Sequence, residues 1–467
     1  MFYLFSFHRF CSLNRKNVSL LNSSAGLTIK VEQKEAGMRK AISVLLVLLM
    51  AFSVFAGGSA EKKNDQIVIE FWTHEDVNRQ ALEDRYIKEF QELHPNVTVN
   101  VTRQASTKLI ELVQTAFAAG EGPTMFNLSI SDEYPYIVAG RVAPMDYEAA
   151  GYTDAQSVKD AYLDGMIDPV TYDGEVYGLP LELTNWCIFI NKKVFRDAGL
   201  DPETDYPRTW EDMVELSQKL VIRDGDILVR RGYDFRYPYY LETLVPMVEQ
   251  LGGQLVSDDG TEAIIGEEAW IKVLTFMQQW GPNGLNLGAP TYTNARSLFN
   301  KDNNDIAMAT TGLYQEARIK ADNPEFYESG EWMVVPYPVF EDAVNDVAAC
   351  YYGHYYMVNA DADKATQKAA WELIAYMLSH GEEYLTEVQL IQPTKELMES
   401  EAYKNMPYSD VFLGDFERGH VVYYGAASAE FQAQLRNAVE AVMLQGVTPE
   451  QAYRDLKVNC QEILDEA

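Results

Sequence analysis

Residues 172–220 read YDGEVYGLPLELTNWCIFINKKVFRDAGLDPETDYPRTWEDMVELSQKL, and the parsing of this stretch decides the fold. Asp173-Gly174 predicts a tight turn, because Gly supplies the positive φ such a turn needs, and Pro180 limits backbone pairing after the run from Val176 to Leu179. A polar interruption from Glu182 to Asn185 follows. The apolar run from Trp186 to Ile190 is short and β-branched enough for a buried strand, and Thr209 is placed to N-cap a helix running to Leu220. A polar patch is therefore held between two strands. Taken alone, an ordinary strand, loop and helix of an α/β domain is the commoner explanation.

Towards the N-terminus, Ile67 to Trp72 reads as a first strand, and a helix from about Asn78 to Leu93 carries Leu82, Tyr86, Phe90 and Leu93 on one face. Val97, Val99 and Val101 alternate with Thr98, Asn100 and Thr102 as a second strand. A helix through Leu109, Leu112, Val113 and Ala116 ends at Gly120, and a third strand starts at Met125. This β-α-β-α-β order predicts an α/β fold with mostly parallel sheets and right-handed crossovers. Ligands of such sheets bind beyond the carboxyl ends of the strands. Those positions hold Thr73, His74, Glu75 and Asp76 after the first strand, and Ser129 to Asp132 after the third. Trp72 fits the core as a strand residue and also lies beside this set.

Arg39-Lys40 precede an uninterrupted apolar run from Ala41 to Phe55, and Val54 with Ala56 supplies small residues at cleavage positions, which predicts a secretory signal peptide over 38–56. The run is too short for a comfortable transmembrane helix. Residues 1–37 then read as upstream sequence from a mistaken start, with Met38 the true one. No Cys follows the apolar run at Gly57-Gly58-Ser59-Ala60, so a lipid anchor is not expected and the mature chain is placed in the periplasm or outside the cell. Residues 1–56 carry 7 of the 38 Lys+Arg and 2 of the 70 Asp+Glu, so the formal charge of −32 becomes −37 on their removal. Such a chain is repelled by nucleic acid and anionic membrane surfaces. What remains of the 467 residues is too long for one core, so two domains are expected. Three cysteines remain, Cys187, Cys350 and Cys460, an odd number that excludes a fully paired framework. Cys187 and Cys350 sit in strand-like apolar contexts that suit buried thiols. No CxxC or Cys/His spacing marks a metal site, and no cofactor is expected.

Further motifs follow in order: HPNVTVNV, AAGEGPTMF, AGRVAPMD, DIAMATTGLY at 305–314, YYGHYYMVN at 351–359, the helix of Trp371, Ile374, Ala375 and Leu378, and a tail containing GVTPEQAYRDL. In this order, with the 172–220 stretch as the crossover between lobes, the chain resembles the extracellular solute-binding proteins of the sugar type, the family of maltose-binding protein. The resemblance implies a two-lobed, hinged fold of the type II periplasmic class. It places 65–183 with 304–357 in one lobe and 187–300 with 359–467 in the other. It also implies a monomeric carbohydrate-binding component of an ABC importer, which delivers its ligand to the permease subunits.

The same resemblance maps an acidic ligand contact onto Glu75, a stacking aromatic onto Tyr314 beside Thr311, and second-lobe contacts onto Tyr240 and Glu242. Tyr423 or Tyr424 occupies the region of another stacking aromatic. Thr184 stands where the maltose protein has a glutamate, flanked by Asn185, and Gly122-Pro123-Thr124 replaces the usual Gly-Pro-Asp; both departures argue against maltose itself. His74, Asp132 and His354 complete the candidate set. Aromatic faces pack on the C–H face of a pyranose while carboxylates and amides take its hydroxyls.

A polyamine is the alternative ligand, since this acidic, Tyr-rich chain also supplies a carboxylate cage with aromatic walls. Iron needs clustered His or Tyr ligands and an anionic ligand needs cleft Arg or Lys, of which the candidate segments hold few. A glycoside hydrolase would need two opposed carboxylates, for which Glu75, Asp132, Glu182 and Glu242 are nominees. No G-x-S-x-G, H-E-x-x-H or phosphate loop is present, so the expectation is a binder and not an enzyme.

Overall fold

The computed structural model describes residues 66–466, apart from 238, 294, 302–305 and 350. The expected signal peptide and the upstream extension lie outside the described residues. The N-terminal alternation forms as read: strand β1 (Ile67–His74), helix α1 (Val77–Leu93), β2 (Val97–Gln104), α2 (Ser106–Ala119) and β3 (Met125–Ser129). Asp76 starts α1 by accepting the amides of Asn78 and Arg79, and Gly120 ends α2 at φ 75°. The turn at Asp173-Gly174 joins the two-residue strands Thr171–Tyr172 and Glu175–Val176 with consecutive positive φ of 51° and 84°, the twist that suits a short hairpin.

The deciding stretch then gives β4 (Gly178–Thr184), β5 (Cys187–Asn191) and α3 (Trp210–Leu220). Thr209 accepts the amide of Asp212 in a reciprocal capping box. Beyond these lie α4 (Tyr240–Gln250), β6 (Met308–Thr311), α5 (Gln315–Asp322), β7 (Trp332–Val335), β8 (Tyr352–Val358), α6 (Lys364–Leu378), α7 (Ser409–Arg418), α8 (Ser428–Leu444) and α9 (Pro449–Glu466).

Two principal sheets result. The first has the order β2-β1-β3-β8-β4, with β1 parallel to β2 and β3, and β8 antiparallel to both β3 and β4. Pro180 sits in an edge strand, the part of a sheet that tolerates a residue without an N–H. The second sheet, β6-β5-β7, is antiparallel. Among the strands of these two sheets, parallel pairing falls within the N-terminal β-α-β-α-β run, and elsewhere among the described residues it is seen in isolated bridges such as Thr209 with Val339 and Tyr351 with Val421. β5 is buried on both faces: Ile188 and Ile190 enter one core with α3, α4, α8 and α9, while Cys187 and Phe189 enter another with Phe299, Trp332 and Phe412. That two-sided burial explains its unbroken apolar sequence.

The pairing corrects the boundaries expected for the lobes. β6 and β7, assigned with the first lobe through 304–357, pair with β5 in the second sheet, and only β8 joins the first. Helix α6, assigned to the second lobe, packs on α1 and β1 and sends Trp371 and Ile374 into the first sheet's core. Residues from Asp65 onward hold together as one unit. Among the described residues no helix is long and apolar enough to cross a membrane. Cys187 and Cys460 are buried free thiols; Cys350 lies outside the described residues.

Candidate functional site

Three strands of the first sheet carry the densest polar group. His74 ends β1, while Glu182 on β4 pairs in register with His354 on β8. The next pair is Tyr355 with Pro180, so Leu181 is bulged out where proline offers no N–H. The two imidazoles stack with centroids 3.9 Å apart and planes 23° from parallel. Glu182 Oε1 lies 3.3 Å from His354 Nδ1 and 3.8 Å from His74 Nε2.

Asn127 in β3 sets the tautomer of His74. Its Oδ1 accepts the His74 backbone amide at 3.0 Å, which orients its Nδ2 to donate to His74 Nδ1 at 2.7 Å. Nε2 of a neutral His74 therefore carries the proton and faces Glu182. Burial, then His354, Arg79 and Arg318, hold His74 well below the usual imidazole range, so it is neutral near pH 7. The ligand atoms of His74, Glu182 and His354 lie within 4.8 Å of one another. The two rings are stacked nearly parallel, with a nitrogen of each facing the Glu182 carboxylate.

Nearby, Ser129 donates to Asp132, whose pKa is raised by burial. Glu75 is exposed beyond β1, and Trp72 is half-buried against the first core. The two sheets meet where Thr184, at the end of β4, abuts Gly312 after β6. A Cβ on Gly312 would fall 2.7 Å from Thr184 Cγ2 and 2.8 Å from Tyr314 Cε1, so the close approach requires glycine. Thr184 donates to the Asn185 carbonyl and the Asn185 amide to the Phe412 carbonyl, both at 3.0 Å. Thr311 donates to Gln315 at 3.3 Å. Tyr314 is 5% exposed and packs into the first core although it follows a strand of the second sheet.

Arg318 on α5 lies over the Tyr314 ring, 4.5 Å from its centroid, and its Nη2 donates to Asp76 Oδ2 at 2.8 Å. Burial works against the Asp76 carboxylate, but the Arg318 and Arg79 charges outweigh it and hold its pKa below the usual range. From the second sheet's side, Arg236 stacks 4.2 Å from the Trp186 ring and 4.7 Å from Tyr239, and donates to the Tyr314 hydroxyl. Beside it opens a cavity of about 200 Å³ lined by Arg236, Tyr237, Tyr239, Thr293, Ala295 and Thr310, among others. Glu242 is buried on α4; burial pushes it up to about 7, with Asp132 adding to the rise and Arg236 opposing it.

The structure thus gathers His74, Asp132 and His354 on one side, Thr184 and Tyr314 at the junction, and Glu242 opposite Asp132. Thr311 spends its hydroxyl on Gln315, while the Asn185 amide reaches the Phe412 carbonyl and leaves its Oδ1 buried without a hydrogen-bond partner. Tyr240 is 2% exposed within the second sheet's core, and Tyr424 packs on Phe431 at 5.6 Å. Asn127, Arg236, Tyr239 and Arg318 lie against the candidate residues and were not among those expected. An Arg inside the aromatic run Tyr233-Asp-Phe-Arg-Tyr-Pro-Tyr-Tyr is a signal that could have pointed to Arg236.

Two sheets whose connecting segments cross at Thr184–Asn185 and again before β8, with polar side chains from both converging at the crossing, define a two-lobed α/β binding protein. Residues 76–384 match the model of the bacterial extracellular solute-binding proteins, and the chain belongs to that family. An arabinooligosaccharide-binding protein of Halalkalibacterium halodurans is 24% identical over 63% of this chain and 59% of its own length. A lactose-binding protein of Rhizobium radiobacter is 22% identical over 58% and 61%. The matches span less than two thirds of either relative. An ABC transporter solute-binding protein from Thermotoga lettingae bound with alpha-D-tagatose superposes with a TM-score of 0.73 at 20% identity, over 85% of this chain and all of that one. A maltose/maltodextrin-binding domain from Bdellovibrio bacteriovorus bound to maltotriose gives 0.70 at 19% identity, over 85% and 99%.

Proposed function

We propose that the chain is the extracytoplasmic substrate-binding component of an ABC importer and takes a mono- or oligosaccharide between its two sheets. The observation that carries this reading is the convergence on the Tyr314 junction of hydrogen-bonding groups from the first sheet and aromatic rings from the second. That pairing matches the hydroxyl edge and C–H face of a sugar. The relatives named above bind saccharides, which favours a sugar over a polyamine and a carrier over an enzyme.

In this reading one lobe is built on the first sheet with α6, the other on the second sheet with α8 and α9, and closure around the ligand produces the form a permease recognises. The protein acts as a monomer, is exported by the 38–56 leader, and works in the periplasm or outside the cell. Glu75, Asp132, Thr184, Tyr314 and Glu242 are its ligand contacts, with His74 and His354 orienting the floor of the cleft.

A thermal-shift screen of the purified protein against saccharides, spermidine and putrescine tests the reading. A ligand at a hundred times its Kd adds about 2.7 kcal/mol of stability. A shift with saccharides recovered intact by chromatography supports it. A shift with polyamines alone, or cleavage of the saccharide, refutes it.

A further inference from the structure

We propose that the cleft selects saccharides that carry a protonated amine, with Glu133 and Glu242 as the residues that recognise the ammonium group beside Asp132. This rests on the sugar-binding reading above and narrows it.

Three carboxyl groups gather here from two elements. Asp132 and Glu133 follow β3 of the first sheet, and Glu242 stands on α4 in the core of the second. Asp132 is the link, since its charge acts on both of the others. Glu133 is 0% exposed, and both of its carboxyl oxygens are buried with no hydrogen-bond partner. Glu242 leaves its Oε2 in the same condition. An alkylammonium brings three N–H donors and a charge to such acceptors, whereas a sugar hydroxyl brings one donor and no charge. Aromatic rings complete the surroundings. Tyr134 meets Tyr423 edge to face at 5.8 Å and Tyr172 at 6.2 Å, and a Cβ on Gly425 would stand 3.4 Å from Tyr134 Cζ, so the segment around Tyr423 presses on the loop that holds Glu133. The Tyr423 hydroxyl is buried with no hydrogen-bond partner and feels the Glu133 charge. Rings beside carboxyl groups suit a cation.

The surrounding charges favour a cation. Burial, with Asp132 adding to it, holds Glu133 well above the usual carboxyl range and pushes Glu242 up to about 7, and burial also raises Asp132. The backbone amides of Asp132 and Glu133 oppose the rise of Glu133 without reaching hydrogen-bonding geometry. The other charged and titratable groups facing the three are Arg236 toward Glu242, His354 and Tyr136 toward Asp132, and Tyr355 and Tyr423 toward Glu133. Arg236 donates to the Tyr314 hydroxyl, and Glu242 stays raised in spite of it. An ammonium group placed among these carboxyls stabilises their ionised forms, so its binding releases protons. The formal charge of −32 draws a cationic ligand toward the chain as a whole.

The test is isothermal titration of the full chain at mildly acid pH, where the amine is protonated, in two buffers of different ionisation enthalpy. The ligands are glucosamine, galactosamine and the fully deacetylated chitosan disaccharide, each beside its N-acetylated form and its hydroxyl counterpart (glucose, galactose and cellobiose), with spermidine as a separate arm. Replacing the amine by a hydroxyl keeps the ring and removes the charge. The expected result is that at least one amine binds about ten-fold or more tighter than both counterparts and releases protons to the buffer, and that Glu133→Gln and Glu242→Gln each cut this preference by about three-fold or more. Equal binding of amine and hydroxyl sugar, preference for neutral saccharides, amine binding without proton release, or a preference that survives both substitutions would overturn the proposal and leave sugar binding in place. Binding of spermidine alone, or of no saccharide at all, would overturn both. The amine–hydroxyl comparison on the unaltered protein stands even where a variant fails to fold.

Discussion

Asp76 does two jobs that a pair of substitutions can separate. One carboxylate oxygen caps α1 through Asn78 and Arg79, and the other accepts from Arg318 across the boundary between a first-sheet helix and a second-sheet helix. Asp76→Asn keeps a good cap and discards the charge, since Asn and Asp cap about equally well. Asp76→Ala discards both. With side-chain exposures of 10% and 27%, the pair lies between the exposed limit of about 0–1 kcal/mol and the several kcal/mol lost on breaking a fully buried pair. We expect Asp76→Asn to cost about 1–2 kcal/mol and Asp76→Ala about 1 kcal/mol more. A double-mutant cycle with Arg318→Gln should return a coupling of about 1–2 kcal/mol. The depressed Asp76 pKa sets the sign of the pH dependence. The contribution is present above the unfolded carboxylate pKa and is lost as pH falls through the lower folded value. Urea unfolding of the parent, the three single variants and the double variant at neutral and acid pH measures all of this. A coupling within about 0.3 kcal/mol of zero, or equal losses for Asn and Ala, would refute the assignment of two separate roles.

Glu242→Gln should reverse a pH penalty. A carboxyl group raised from 4.5 to about 7 by burial loses stability as pH rises between those values, so the variant should be more stable than the parent at pH 8 by roughly 3 kcal/mol. This source of difference should vanish below pH 4.5, as unfolding curves at pH 4 and 8 can show. Gly312→Ala should destabilise by about 1–3 kcal/mol through overpacking between Thr184 and Tyr314, and should weaken saccharide binding; an unchanged melting temperature would contradict the packing. Thr209→Ala removes a capping box and should cost about 1 kcal/mol, which Thr209→Ser should largely restore in the same melts.

Much of the local structure was legible because its signals are local. Alternating valines at 97, 99 and 101, the cap at Thr209, the left-handed end at Gly120 and the Asp173-Gly174 turn each follow from a few neighbouring residues, and all appear. The partners of β6 and β7 were not legible. A four-residue strand buried on every position carries no face pattern to say which sheet it joins, so DIAMATTG was placed with the wrong one. The site divided along the same line. His74 and Asp132 follow from being just past strand ends, whereas Asn127 is a mid-strand residue whose role is visible only through its two bonds to His74. Arg236 and Arg318 are 82 positions apart in the numbering and meet only on the ring of Tyr314.

The order β2-β1-β3-β8-β4 has a consequence for how the chain is made. β4 pairs within its sheet only with β8, so residues 178–184 wait for residues 352–358 before gaining a neighbour. A polypeptide emerging from the ribosome N-terminus first holds three strands with an open edge until about three quarters of its length exists. Closing so long a loop is entropically slow, and the incomplete sheet displays unpaired backbone meanwhile. The second sheet, whose strands all lie between residues 187 and 335, can therefore be complete before the first one closes.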